Sequence, residues 1–138
     1  MSTVAVTTAQ VAMLDPIKCV TRSYIANEAI TRGQAVYILT TGKVGLADSD
    51  GSGTRQFRGI ALDTVGAGQA VEVLHDGEIG GFGVSALNAD TLVYVGTVAG
   101  TLITGTGGAK AGRVVTLTDK PTYTKVLRIF TAWDTIWA

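Results

Sequence analysis

Short apolar runs that alternate with polar residues, most of them bounded by glycine, recur along the whole chain. Val, Ile, Thr and Tyr dominate these runs, the residue types that suit a pleated, half-buried strand. The alternation predicts strands over 19–26, 34–39, 43–47, 57–63 and 69–75. It predicts others over 78–83, 91–95, 101–104, 113–118 and 124–131. Apolar residues nowhere recur at helical spacing over a helix-length window, so nothing beyond a short helical turn, at 85–89, is expected. The expected fold is all-β, a small antiparallel β-barrel or β-sandwich with extended N- and C-terminal arms.

Two turns have a mechanism. Asp76-Gly77 lies between apolar runs, and Asp-Gly is a strong hairpin signal because glycine accepts positive φ. Thr41-Gly42-Lys43 joins Tyr-Ile-Leu to Val-Gly-Leu in the same way, and 48–54 reads as a longer polar loop at a hairpin tip. The chain also echoes itself. ITRGQAVYI (30–38) and VGAGQAVEV (65–73) share a turn, then Gly-Gln-Ala-Val, then an alternating strand. LNADTLVYV (87–95) and GAKAGRVVTL (108–117) repeat this more loosely. Uneven spacing argues against a solenoid and for hairpins wrapped into one barrel or sandwich.

Both ends differ from the middle. Residues 1–16 alternate weakly and stop at Asp15-Pro16, and 119–123 form a second break before a tail ending TAWDTIWA. The chain is expected to divide into an N-terminal arm (1–16), a core (17–118), and a C-terminal strand with an aromatic arm (119–138). Arms that dock on neighbours would use Val4, Val6 and Val11 at one end and Trp133, Ile136 and Trp137 at the other. Aromatic residues are frequent interface anchors.

Composition narrows the class. The 138 residues suit one domain and can bury a core without metal or disulfide staples. Apolar residues make up 46% and charged residues 16%, which argues against disorder and for apolar surface hidden by partners. Eleven basic and eleven acidic residues give zero formal charge, so a dedicated nucleic-acid binder is not expected. The single cysteine, Cys19, makes no internal disulfide. Neither a signal peptide nor a bilayer-length apolar run stands in the sequence, so synthesis and use in a cytoplasm, or in a particle assembled there, is expected.

Candidate chemistry is thin. The one histidine, His75, falls in the predicted Asp-Gly turn, and turn chemistry accounts for its setting. Cys19 sits in an alternating strand as a small hydrophobe would. Asp63 with Glu72, or Asp76 with Glu78, are the nearest acidic pairs, and strand-end polarity explains them equally well. ITGTGGAKAG (103–112) does not match a phosphate loop, and GGFG (80–83) lacks half of a dinucleotide fingerprint. The run 48–53 (DSDGSG) places acceptors as a calcium loop does, but Gly59 stands where the bidentate glutamate belongs. Arg55, Arg58 and Phe57, and Lys125, Arg128 and Phe130, are thin patches for a nucleic-acid surface. No catalytic, cofactor or metal residues are assigned, and the protein is not expected to be an enzyme.

AITRGQAVYI (29–38), GKVGLADS (42–49), RGIALDTVGAGQAVEVLHDGEIGGF (58–82) and LNADTLVYV (87–95) together resemble the core of tailed-bacteriophage capsid decoration, or cement, proteins. The resemblance implies a virion protein on the outside of an expanded icosahedral shell, at three-fold or quasi-three-fold positions, that clamps neighbouring major capsid subunits; a homo-oligomer is expected, commonly a trimer, with a dimer as the alternative. It implies no catalytic residues, and on the composition and motifs above no cofactor and no nucleic-acid or membrane partner is expected. Many repeated weak contacts suit such a role. The rivals are another virion part, such as a head-fibre base, and a small β-barrel module for carbohydrate. That module would draw on Tyr24, Tyr37, Tyr94 and Tyr123.

Overall fold

The computed structural model describes residues 3–50, 56–105, 109–117 and 124–131. Ten strands form one antiparallel sheet: β1 (Ala12–Leu14), β2 (Val20–Ile25), β3 (Ala35–Ile38), β4 (Val44–Leu46), β5 (Gly59–Ala61), β6 (Ala70–Gly80), β7 (Leu92–Val95), β8 (Leu102–Thr104), β9 (Lys110–Thr116) and β10 (Lys125–Phe130). The all-β expectation holds. The described residues contain no α-helix; single 3-10 turns stand at Thr8–Gln10 and Pro16–Lys18, and within 85–89 the chain makes a hydrogen-bonded turn, with Leu87 N–H donating to the Val84 carbonyl at 3.0 Å.

β6 is the spine. Its first half pairs with β2 on one side and β5 on the other, and its second half with β1 and β10. The order β4-β3-β5-β6-β10-β9-β7-β8 then curls at both ends. At one end Ala26 bridges Val44, and Asn27 N–H donates to the Val44 carbonyl at 2.8 Å. That closure encloses a small core of Ala26, Ile30, Val36, Val44, Ala61, Val71 and Val73. At the other end residues 3–7 close the curl. Thr3 bridges Ile103, Val4 N–H donates to the Leu102 carbonyl at 2.8 Å, and Val6 bridges Phe82. The larger core there includes Val4, Val11, Leu74, Ile79, Phe82, Leu102, Leu127 and Ile129.

This corrects the N-terminal arm. Val4 and Val11 are buried core residues, and Val6, although 38% exposed, lies against Gly33. The segment supplies the last edge of a curl, and burial of its valines against β8 and the 81–83 loop ties it down. Trp133, Ile136 and Trp137 lie outside the described residues.

The expected hairpin at Asp76-Gly77 is also corrected, because β6 runs straight through both residues. Thr21 faces Leu74 and Val20 faces Asp76, so His75 is the extra residue of a β-bulge. Gly77 follows at φ +146°, and a Cβ there would collide with the Cys19 side chain. Glycine serves here for a bend and a close approach rather than for a reversal. The Thr41-Gly42-Lys43 turn does reverse the chain, with Leu39 N–H donating to the Lys43 carbonyl at 2.8 Å.

The sequence echo has a structural counterpart. Thr31–Gln34 and Gly66–Gln69 are matching turns, with glycine at positive φ in the third position of each. Ile30 and Val65 exchange both backbone hydrogen bonds, at 3.0 and 2.8 Å. Gly33 N–H donates to Ala61, and Gly68 N–H donates to Ala26, both at 2.8 Å. The Ile25–Ala70 pair likewise matches Ile60–Ala35. Two copies of one strand-turn-strand unit therefore clasp each other about a local two-fold axis through the small core.

Candidate functional site

Two of the sheet's margins, those of β4 and β8, are covered. The 26–28 segment lies against β4, where Leu46 N–H donates to Glu28 Oε2 at 3.1 Å, and residues 3–4 cover β8. β1 and β2 differ: among the described residues the one ladder each makes is with β6, and β2 is closed at its end by the Ala26–Val44 bridge. Two large exposed apolar side chains belong to β2, Val20 (57% exposed) and Ile25 (43%), and Ile17 (95%) stands in the 3-10 turn that precedes it. β2 and β4 come together at Ala26–Val44. Between β2 and the turn that joins β3 to β4 lies a groove of about 540 Å³ lined by Arg22, Ser23, Tyr24, Ile25, Ile38, Gly42 and Ala70.

The bulge fixes how the groove is held from beneath. It turns His75 toward Tyr24, whose hydroxyl lies 2.7 Å from Nε2, with the rings edge-to-face at 5.6 Å between centroids. Nδ1 lies 2.5 Å from the Arg58 carbonyl oxygen, which only accepts, so Nδ1 carries the ring proton. In the neutral ring Nε2 then accepts from the Tyr24 hydroxyl. Burial pushes the His75 pKa below its ordinary value of 6.5. The hydrogen bond to Arg58 opposes that shift, and the positive charges of Arg22 and Arg58 add to it. Burial raises the Tyr24 hydroxyl above its usual range. Arg22 lies over the Tyr24 ring at 5.9 Å.

On the opposite face Ser23 Oγ donates to Glu72 Oε1 at 2.6 Å. Hydrogen bonds from Ser23 and then Thr21 hold that carboxyl below the usual range against the opposing effect of burial. With both imidazole nitrogens engaged and the phenol protonated, this cluster is built to fix β2 rather than to move protons.

In comparisons with protein-family models and with curated protein sequences, the chain matches none.

Other sequence candidates take structural places. Asp63 Oδ2 accepts from the Glu72 backbone N–H at 3.0 Å, so this acidic pair holds a strand end. Asp76 pairs with Arg128 at 2.8 Å, and Glu78 stands opposite Arg128 across the ladder. Cys19 is half-buried against Gly77, and burial raises its thiol. Phe57 and Arg58 are buried, while Arg55 lies outside the described residues. In the 48–53 loop the Asp48 carboxylate accepts from Asp50 N–H at 2.9 Å, and 51–53 lie outside the described residues. Of the four tyrosines, Tyr24 lines the groove, Tyr37 packs on the larger core, Tyr94 sits on β7, and Tyr123 lies outside the described residues.

Sequence reasoning singled out neither the open edge nor the bulge. Val20, Arg22, Tyr24 and Ile25 were visible only as one more strand, because alternation reports which faces are buried and not which margins are paired.

Proposed function

We propose that this protein is a structural, non-enzymatic virion component that binds the outer surface of a phage capsid and stabilises contacts between major capsid subunits. The observation that carries this reading is the open β2 margin, with Val20 and Ile25 exposed on the strand. Such a margin is a contact surface for another polypeptide, since an unpaired strand edge presents hydrogen-bonding groups in register. The resemblance of residues 29–95 to capsid decoration proteins names the polypeptide as the shell protein. Trp133, Ile136 and Trp137 remain candidates for an attachment arm. Val4 and Val11, being core residues, do not.

Quantitative mass spectrometry of purified virus particles from the source of this gene tests the reading. Hundreds of copies per particle, in a simple ratio to the major capsid protein, support it. Absence from the particle overturns it in favour of a ligand-binding module, for which the groove at Tyr24 and Arg22 is the place to look.

A further inference from the structure

We infer that the β2 margin takes a short extended segment of the shell protein, paired antiparallel to Thr21–Ser23, with an acidic side chain opposite Arg22 and uncharged residues on either side of it. The inference rests on the shell reading and adds to it the chemistry of the segment.

The backbone fixes which part of β2 is open. Ala26 N–H donates to the Gln69 carbonyl at 2.9 Å, and Gly68 N–H donates to the Ala26 carbonyl at 2.8 Å, so Ala26 turns its groups toward the β6 side. Backbone groups alternate along a strand, so Arg22 and Tyr24 turn theirs the same way, and Thr21, Ser23 and Ile25 turn theirs outward. β6 agrees with this phase. Leu62 N–H donates to the Glu72 carbonyl and Glu72 N–H to Asp63, which leaves Val71 and Val73 to bond Tyr24 and Arg22. At Ile25 the margin is closed by the Ala26–Val44 bridge. What stays open is an N–H and a C=O on each of Thr21 and Ser23. The margin of β1 is the shorter, a strand of three residues against six.

An antiparallel segment meets all of these groups with consecutive residues opposite Ser23, Arg22 and Thr21. A parallel one also needs a residue level with Tyr24. There Gly42, two residues back from Val44 as Tyr24 is from Ala26, already walls the groove.

Side chains then set the chemistry. The residue opposite Arg22 falls in the non-hydrogen-bonded kind of pair, where side chains approach most closely. Arg22 makes no ion pair with a carboxylate among the described residues. Its guanidinium lies over the Tyr24 ring, which the bond to His75 holds in place, so a cation is already positioned for an acid from outside. On the opposite face the Glu72 carboxylate is bonded to Ser23, and an acid on the neighbouring segment positions would meet a like charge there. Ile25, exposed beside Ser23 on that face, suits an apolar neighbour. Each contact is small, and repetition over the shell multiplies it.

The test measures binding of the full chain to purified expanded shells of the source phage that lack this protein. Arg22→Glu is expected to bind about tenfold more weakly or worse, and Arg22→Lys close to normally. Ser23→Pro deletes an outward N–H and leaves the ladder to β6 intact, so it too should bind weakly. Ser23→Ala loses the bond to Glu72 but keeps the N–H, and should bind as the unaltered chain does. Thermal melts check that each variant is folded, and Arg22→Glu, which alters no ladder group, serves if Ser23→Pro does not fold. Hydrogen exchange at the Thr21 and Ser23 amides should be fast in the free chain and slow on the shell. An unaltered chain that does not bind shells overturns the shell reading and this inference with it. Normal binding by Arg22→Glu overturns the acidic segment, and unslowed exchange at Thr21 and Ser23 in the bound chain overturns the strand pairing. Both of those results leave the shell reading standing on another surface.

Discussion

Gln34 and Gln69 do the same work at matching places. The side-chain oxygen of Gln34 accepts from Thr31 N–H at 2.8 Å, and that of Gln69 accepts from Gly66 N–H at 2.7 Å. Each amide thus closes the turn that starts its own strand, β3 in one case and β6 in the other. The two turns flank the Ile30–Val65 pair, where the two units of the echo meet.

Removing either cap should weaken the fold by a similar amount. Gln34→Ala and Gln69→Ala are each expected to lower stability by about 1 kcal/mol, the usual net worth of one hydrogen bond. Urea unfolding should show both midpoints falling with the slope unchanged. A loss confined to one of the pair would contradict the equivalence of the turns.

Stability should depend on His75 near neutral pH. Its folded-state pKa is depressed, so the unfolded chain binds the proton more readily. The contribution is fully present above the unfolded value of about 6.5 and is lost as pH falls through and below it. Thermal melts between pH 8 and pH 5 should show a declining midpoint, with a shallower decline for His75→Gln. An equal slope in both proteins would show that His75 is not the group responsible.

Gly77→Ala should be among the more damaging single-methyl changes in the chain. The added carbon meets Cys19 and asks a non-glycine residue to hold φ +146°. A loss of about 1–3 kcal/mol is expected from strain of this kind. Cys19→Ala in the same chain should restore part of it, since the clash is relieved but the backbone angle is not. Denaturant titrations of the two single variants and the double variant measure the coupling.

The N-terminal valines should behave as core residues. Val4→Ala and Val11→Ala are each expected to lower stability by about 2 kcal/mol, from lost burial and the cavity left behind. Val6→Ala, at a position 38% exposed, should lower it by about 0.5 kcal/mol or less. Loss of partner binding with unchanged melting for Val4→Ala would restore the arm reading for that residue.

Most strands could be read from the sequence because their signal is local. In 34–39, 43–47, 91–95 and 101–104 the alternation of apolar residues reports a pleated strand with one buried face, and the structure places β3, β4, β7 and β8 there. The Thr41-Gly42-Lys43 reversal is local too. The Gly-Gln-Ala-Val echo marked the two turns, although what it meant was a clasp between distant segments.

The same local signal misled at Asp76-Gly77. A bend inside a long strand and a reversal between two strands ask for the same residues, since both need glycine's freedom at positive φ. The choice between them rests on β2 and β10 lying on either side of Asp76, partners that come from distant parts of the sequence.

By itself the sequence determined the all-β class, the positions of most strands and the paired turns, because side-chain alternation and glycine act over a few residues. Only the tertiary structure decided that Val4 and Val11 are core, that His75 is turned onto Tyr24, and that β2 is left as the open margin. Burial and edge pairing depend on what arrives from elsewhere in the chain, and no short-range pattern encodes that.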